Sequence, residues 1–331
     1  MKAIVLPGPD AGLDDVALID LPVPEPGPDA VRLRVVAVSI NPVDWKQAFD
    51  HKPEWTYPHV LGLDAAGVID AVGPGVADWK VGDRVVVHNN LWKPGVFADY
   101  CLAPVHVLTR LPAGVRFTDA AAVPCAGYTA YQALFRKARL AEGQTILVQG
   151  ANGGVGGFAT QLAHQAGARV IALTRPEHFD TVRSFGADVV LDYRDPDLVA
   201  KVKAETEGGY GVDVMLEVAN PGDARKSLAF VRYNGHLLSI DPLPVMTDVP
   251  AYTYAASVHE VALGGAYKAG HLPTQRDFAV MGEEMMARLA AGRLDPMVEE
   301  IVTIEDIPEA LRRLRRREVT GKIVARIAPD A

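Results

Sequence analysis

Thr145-Ile146-Leu147-Val148-Gln149-Gly150-Ala151-Asn152-Gly153-Gly154-Val155-Gly156-Gly157 decides the fold. The apolar run over 145–150 reads as a short buried strand, and residues 155–166 carry helical spacing. A strand, a glycine turn and a helix in that order make the phosphate-binding turn of a dinucleotide site. Glycine lets the backbone turn sharply and approach a pyrophosphate with no Cβ in the way. The helix start then offers free N–H groups and the positive end of its dipole. The pattern is Ala-x-Gly-x-x-Gly, with Ala151 where the first glycine usually stands. Gly150, Ala151, Asn152, Gly153, Gly154, Val155 and Gly156 are therefore the expected cofactor-binding loop. The alternative is a tight strand–helix turn that holds no ligand.

Outward from this loop the pattern alternates. Strands are expected at 169–174, 188–193, 212–219 and 236–240, with helices at 178–185, 198–205 and 223–230 between them. Short buried strands joined by helices imply βαβ units and a parallel sheet, so 122–265 is the expected doubly wound domain. Upstream, apolar runs at 2–6, 31–39, 67–72, 84–88 and 97–102 are punctuated by Pro and Gly. That texture suggests a barrel-like all-β unit over 1–121. A short helix at 41–49 is opened by Pro42. From Thr118-Asp119 the texture turns helical, and 128–140 keeps helical spacing. Helices at 278–291 and 307–316 and strands at 299–303 and 322–327 form a tail, which packs back so that 266–331 completes the first domain. No internal repeat is visible.

Composition narrows the function classes. The chain has 331 residues, 49% hydrophobic and 22% charged, enough to bury a core and too apolar for global disorder. Lys and Arg total 33 against 41 Asp and Glu, a net charge of −8, which disfavours nucleic acid as a partner. Two cysteines, Cys101 and Cys125, make neither a disulfide framework nor a four-thiolate zinc site, and a reducing, cytoplasmic setting is expected. Pro7, Pro9 and Asp10 interrupt the N-terminal apolar run, so no signal peptide is expected, and no uncharged run of about 20 residues predicts a membrane span.

The second strand of the block ends Ala172-Leu173-Thr174-Arg175. An NAD site places Asp or Glu at this end to bond the ribose 2′-OH. Here the first acid is Glu177, past Pro176. Arg175 instead suits a 2′-phosphate, with Thr174 as an added hydroxyl donor and His178 as a neighbour, which favours NADPH. The alternative for Arg175 is a plain surface charge.

A second constellation is more specific. Ser39-Ile40-Asn41-Pro42-Val43-Asp44, Gly62-Leu63-Asp64-Ala65-Ala66-Gly67-Val68, Val72-Gly73 and Trp79-Lys80-Val81-Gly82-Asp83-Arg84-Val85 occur in order. With 124–134, the 151–156 loop, Gly186-Ala187-Asp188 and Thr320-Gly321-Lys322-Ile323-Val324, they cover nearly the whole chain. The sequence closely resembles the zinc-independent quinone oxidoreductase (zeta-crystallin-like) branch of the medium-chain dehydrogenase/reductase superfamily. The resemblance implies an α/β protein with a GroES-like β-barrel domain, a Rossmann domain, an active site in the interdomain cleft, and a homodimer. Zinc-dependent relatives carry a Cys ligand where this chain has Asn41, and Gly-His-Glu where it has Gly62-Leu63-Asp64. Asn and Leu are not zinc ligands, and His51, His59 and His88 show no ligand spacing, so no metal is expected. Without a Lewis acid, alcohol oxidation is difficult, whereas hydride transfer to a quinone or conjugated enone needs less help.

By the same resemblance, Asn41 sits near the nicotinamide ribose and the substrate, its alternative being a turn-capping Asn. Tyr128 either faces the pocket or is a core aromatic, and Thr129 lies near the nicotinamide. Tyr193 flanks the adenosine phosphate; Val218, Ala219 and Ile240 line the nicotinamide side; Lys322 contacts the pyrophosphate, unless it is an edge-strand lysine. Asp44 reads as a cap, Asp64 as a local structural acid and Cys125 as a packed residue. Relatives often place a tyrosine in a segment that here reads Gln47-Ala48-Phe49-Asp50-His51, so Trp45 and Trp92, with Trp55 and Tyr57, are the expected aromatic walls of a different substrate pocket. The expected activity is NADPH-dependent reduction of a quinone or activated alkene. The rivals are a non-catalytic, crystallin-like NADPH-binding protein, and a medium-chain alcohol dehydrogenase or enoyl reductase.

Overall fold

The computed structural model describes residues 1–218, 224–240, 243–247 and 249–329. The chain divides into two compact units, Met1–Tyr128 with Gly264–Ala331, and Thr129–Leu263. The boundaries fall at 128/129 and 263/264, where the sequence suggested 121/122 and 265/266. The first one moves because it lies inside a continuous helical stretch with no composition break. That stretch is irregular: wide π turns over Pro124–Tyr128 and Gln132–Lys137 flank one α turn, Thr129–Tyr131. Apolar spacing cannot distinguish the two windings, so the sequence read a regular helix. Among the described residues no helix is long and apolar enough to cross a membrane.

The second unit is a six-stranded sheet, parallel throughout. Its strands are Thr145–Gln149, Arg169–Thr174, Val189–Asp192, Val212–Glu217, Val231–Ser239 and Ser257–Glu260. Taken in chain order they lie third, second, first, fourth, fifth, sixth across the sheet, the order of a dinucleotide-binding fold. The order reverses beside Thr145–Gln149, the strand that feeds the glycine loop. Leu147, Ile171, Met215 and Leu237 share a core with Val202 and Leu228 of the covering helices. Burial on both faces is why these strands read as continuous apolar runs.

The first unit centres on a long strand, Ala30–Ile40. It pairs antiparallel with Asp64–Val72, Tyr100–Pro104 and the C-terminal Lys322–Arg326, within a seven-stranded sheet. Register shifts at Arg32/Leu33 and Val35/Ala37 mark bulges in the first of these pairings, which bend a strand and raise its twist. A smaller sheet joins Ala17–Asp20, Lys2–Leu6 and His59–Val60. The tail thus belongs to this unit, as the sequence suggested.

Candidate functional site

Sheet register in the first unit assembles a buried polar cluster from residues far apart in sequence. Ser39 stands opposite Asp64, and Asp64 opposite His88. Ile323 stands opposite Ile40, which carries Lys322 to Asn41. Asn41 Nδ2 donates to Asp64 Oδ2 at 2.9 Å and to the Ser39 carbonyl at 3.3 Å, while its Oδ1 accepts from Lys322 Nζ. Asp64 Oδ1 lies 2.8 Å from His88 Nδ1, and Oδ2 also accepts from the Cys125 backbone N–H at 2.9 Å. Tyr267 donates its hydroxyl to the His88 carbonyl at 2.7 Å. Asn41, Asp64, His88 and Lys322 are at most 4% exposed. A carboxylate so buried is tolerable only with this many donors and a nearby cation.

Asp44 caps the helix Pro42–Gln47, its Oδ2 accepting from the Asn41 N–H at 2.6 Å. Burial pushes its carboxyl well above the usual range, the Asn41 N–H opposes this, and the Asp64 charge adds to the rise. Its Oδ1 has no partner among the described residues. Burial, reinforced by the Asp64 charge, likewise drives the Cys125 thiol well upward, which disfavours the thiolate.

The ligating atoms of Asp64, His88 and Cys125 lie within 4.8 Å of one another. These are donor types that zinc takes, and the sequence, which found His88 without ligand spacing, missed the grouping. In this arrangement the acid is already engaged by protein groups. Asp64 Oδ2 is taken by the Asn41 amide and the Cys125 N–H, Oδ1 faces His88 Nδ1, and the Lys322 ammonium already places positive charge beside Asn41.

Several expected roles change. Tyr128 is fully buried, and a Cβ added at Gly282 would sit 2.5 Å from its hydroxyl. Burial pushes the phenol well above its ordinary range. The structure therefore packs Tyr128 in the core, the alternative that the sequence left open. Lys322 has an internal partner, Asn41, where a pyrophosphate contact was expected. Trp45 is half-buried and packs edge-on against Phe49 at 6.3 Å; Trp92 is half-buried, its backbone N–H donating to Asn90 Oδ1 at 2.9 Å. No contact joins these two indoles. Trp55 instead stacks on His59 at 3.9 Å and donates Nε1–H to the Leu91 carbonyl.

In the second unit the expected loop has the required shape. Gly150 adopts φ 64°, and a Cβ at Gly156 would lie 2.2 Å from the Gly150 carbonyl oxygen. The helix Gly154–Gln165 starts with no side chain capping it, leaving its first N–H groups for an anion. A close backbone cradle closed by glycine and opened to N–H donors fits a dinucleotide pyrophosphate. Gly150, Arg175, Tyr193, Val218 and Ile240 each follow directly on the end of a parallel strand, so one sheet edge gathers them. Arg175 is exposed, with Nε 3.1 Å from Glu177 and a terminal nitrogen 3.3 Å from His178 Nε2. Tyr193 is 51% exposed, with the Arg194 guanidinium 5.9 Å from its ring. Val218 and Ile240 are half-buried, and Thr129 is 7% exposed. Ala219 lies outside the described residues. Thr174 departs from expectation: it is 1% exposed and gives its hydroxyl to Asn152 Oδ1 at 2.8 Å. It ties the strand end to the loop and is not a free donor for a 2′-phosphate. Glu217, buried under the Ser227 and Ser239 hydroxyls, escaped the sequence reading, although an acid ending an apolar strand was a visible signal.

Residues 27–113 match the family of alcohol dehydrogenase GroES-like domains, and residues 154–265 match the zinc-binding dehydrogenase family. The chain is 29% identical to human quinone oxidoreductase over 312 residues, 92% of this chain and 91% of that protein. It is 36% identical to the chloroplast envelope quinone oxidoreductase homolog of Arabidopsis thaliana over 245 residues, 72% of this chain and 73% of that protein. The solved quinone oxidoreductase of Pseudomonas syringae pv. Tomato DC3000 superposes with a TM-score of 0.86 at 28% identity, covering 98% of this chain and 100% of that one.

Proposed function

The chain belongs to the quinone oxidoreductase branch of the medium-chain dehydrogenase/reductase superfamily and is an oxidoreductase, and from that premise we propose that it reduces a quinone or a conjugated enone with NADPH and without zinc. The observation that carries this reading is the Lys322–Asn41–Asp64 chain, in which a lysine supplies the positive charge and protein donors take both Asp64 oxygens.

NADPH supplies the hydride when bound. The 150–156 loop holds the pyrophosphate on backbone N–H groups, and Arg175 pairs with the 2′-phosphate, drawing away from Glu177 to do so. In the first unit, Asp64 fixes the Asn41 amide, and Asn41 Oδ1 fixes the Lys322 ammonium. A lysine carries three donors, and among the described residues Lys322 spends one, on Asn41. Its remaining N–H groups are aimed by that contact and stabilise the oxygen that becomes negative as hydride reaches the conjugated acceptor. One further proton completes the hydroquinone or the saturated ketone, and solvent is its source. Trp45 and Trp92 are proposed as acceptor contacts.

The same proposal includes a reducing, cytoplasmic setting and a homodimer. Ser257–Glu260 is an edge strand, and Leu243, Val245, Met246 and Tyr252 are exposed on the segment before it. Sedimentation at micromolar concentration tests the dimer.

The deciding experiment measures NADPH and NADH oxidation in parallel, with a simple quinone and a simple enone, alongside zinc analysis of the purified protein. NADPH-selective turnover in metal-free protein is the expected result. Stoichiometric zinc required for turnover would overturn the metal-free reading in favour of an alcohol dehydrogenase. Tight NADPH binding without turnover of either acceptor would favour the binding protein.

A further inference from the structure

We infer that the first unit carries a second small-molecule site, separate from the Asn41–Lys322 cluster, for an organic anion with an apolar body. The site is a cavity of about 820 Å³. That is ample for a mid-sized ligand, since such pockets run from about 300 to 1,000 Å³. None of Asn41, Asp64, His88 or Lys322 lines it.

The chemistry of the walls sets the ligand class. Leu21, Pro24, Val60, Leu102 and Ala103 give a mostly apolar interior. Lys93 and Arg276 also line it, and neither has a side-chain partner among the described residues. The acid on the wall is Asp29. The whole molecule carries −8, and most of its exposed guanidiniums and ammoniums are paired, such as Arg183 with Asp180 and Arg316 with Glu309 and Glu318. Two unpaired cations on the wall of an apolar cavity are therefore a local reversal of the protein's charge. An apolar chain or ring satisfies the interior through the hydrophobic effect, and a carboxylate or sulfonate satisfies the cations. A cationic amphiphile would meet Lys93 and Arg276 as like charges, and a sugar or free phosphate would leave the apolar wall wet.

The cavity also touches the proposed site through the chain. Asn89 and Asn90 line it, and Asn89 follows His88, the partner of Asp64. Lys93, Pro94 and Gly95 continue the same loop along the wall, next to Trp92. A bound anion would thus restrain the loop that leaves the Asp64–His88 cluster.

The test uses the full chain saturated with NADPH and titrates decanoate by calorimetry, with decylammonium and decanol as matched probes. Decanoate should bind at least about tenfold more tightly than decylammonium, a preference worth one charge-assisted contact. The K93E/R276E double variant should weaken decanoate about tenfold or more while keeping the wild-type circular dichroism spectrum and unfolding midpoint. Both residues are exposed, so the fold does not depend on them. Hydrogen exchange should slow at 89–95 and 100–106 when decanoate is present. No decanoate binding, equal binding of anion and cation, unchanged affinity in the double variant, or protection confined to other segments would each overturn the inference. The readout is binding, so it stands apart from which acceptor the enzyme reduces.

Discussion

Lys322 carries the charge balance of the candidate site. It is 4% exposed, and its ammonium answers a carboxylate, Asp64, that is fully buried. Lys322→Met leaves that carboxylate with His88 and neutral donors, and removing one partner of a buried pair costs about 3–5 kcal/mol. We predict a loss near the low end of that range in urea unfolding, and a fall in kcat larger than the change in KM. A variant that lost stability but kept kcat would make Lys322 a purely structural cation. His59 gives a separate, pH-resolved prediction. It is 2% exposed and stacked on Trp55, and burial lowers its imidazole from 6.5 to about 4. Between those values the unfolded chain binds the proton and the folded chain does not. Its contribution is therefore fully present above about pH 6.5 and is lost as pH falls toward 4, on the order of 3 kcal/mol in all. His59→Phe should flatten this part of the stability–pH curve; an unchanged slope would show that other groups produce it. Asp44 works in the opposite sense. Its raised value means stability declines as pH climbs above the unfolded carboxyl value of about 3.9, and Asp44→Asn should remove that decline.

At the scale of elements, close approach is what the glycines record. The helix Leu272–Ala290 passes Thr109 and Tyr128 so closely that a Cβ at Gly282 would stand 2.0 Å from Thr109 Oγ1 and 2.5 Å from Tyr128 Oη. Gly282→Ala should cost about 1–3 kcal/mol by overpacking. Adding Tyr128→Phe removes one of the clashing atoms, so the double variant should recover part of the loss. Strict additivity of the two changes would mean that the helix simply shifts. Nothing local in the sequence announces that contact. What the sequence does announce are elements whose burial is uniform along their length. Lys2–Leu6, Arg84–His88 and Arg169–Thr174 are unbroken or alternating apolar runs, and their expected and observed bounds coincide. Ser257–Glu260 went unread because Val258 is its one apolar residue, and a sheet edge needs no more. The candidate site divides along the same line. The shape of the glycine loop is local in sequence and was legible, while Asn41 entered by resemblance. The Asp64–His88 pair and the Lys322–Asn41 bond depend on register between strands far apart in the chain, and the Thr174–Asn152 bond on two loop ends meeting. Residue spacing along the chain contains none of these, which is why His88 read as scattered and Thr174 as a free donor.

At the scale of the whole molecule, a protein of net charge −8 must hold an anionic cofactor against its own field. Salt screens distant charges over about 8–10 Å near physiological strength, so the outcome rests on the few groups at the sheet edge. Arg175 stands there as an exposed cation, and its partner Glu177 is exposed and surrenders little on parting. A ligand bound to the folded state alone stabilises it by about 2.7 kcal/mol at a free concentration 100 times its Kd. We therefore predict that NADPH raises the unfolding midpoint more than NADH at the same concentration. The difference should shrink as salt increases and vanish in Arg175→Ala. A tenfold preference corresponds to about 1.4 kcal/mol, well within what one charge-assisted phosphate contact supplies. Equal shifts from the two cofactors in the wild type would remove Arg175 as the discriminating residue. Unequal shifts that persist in Arg175→Ala would move the discrimination to another group at that edge, with Arg194 beside Tyr193 the next to test.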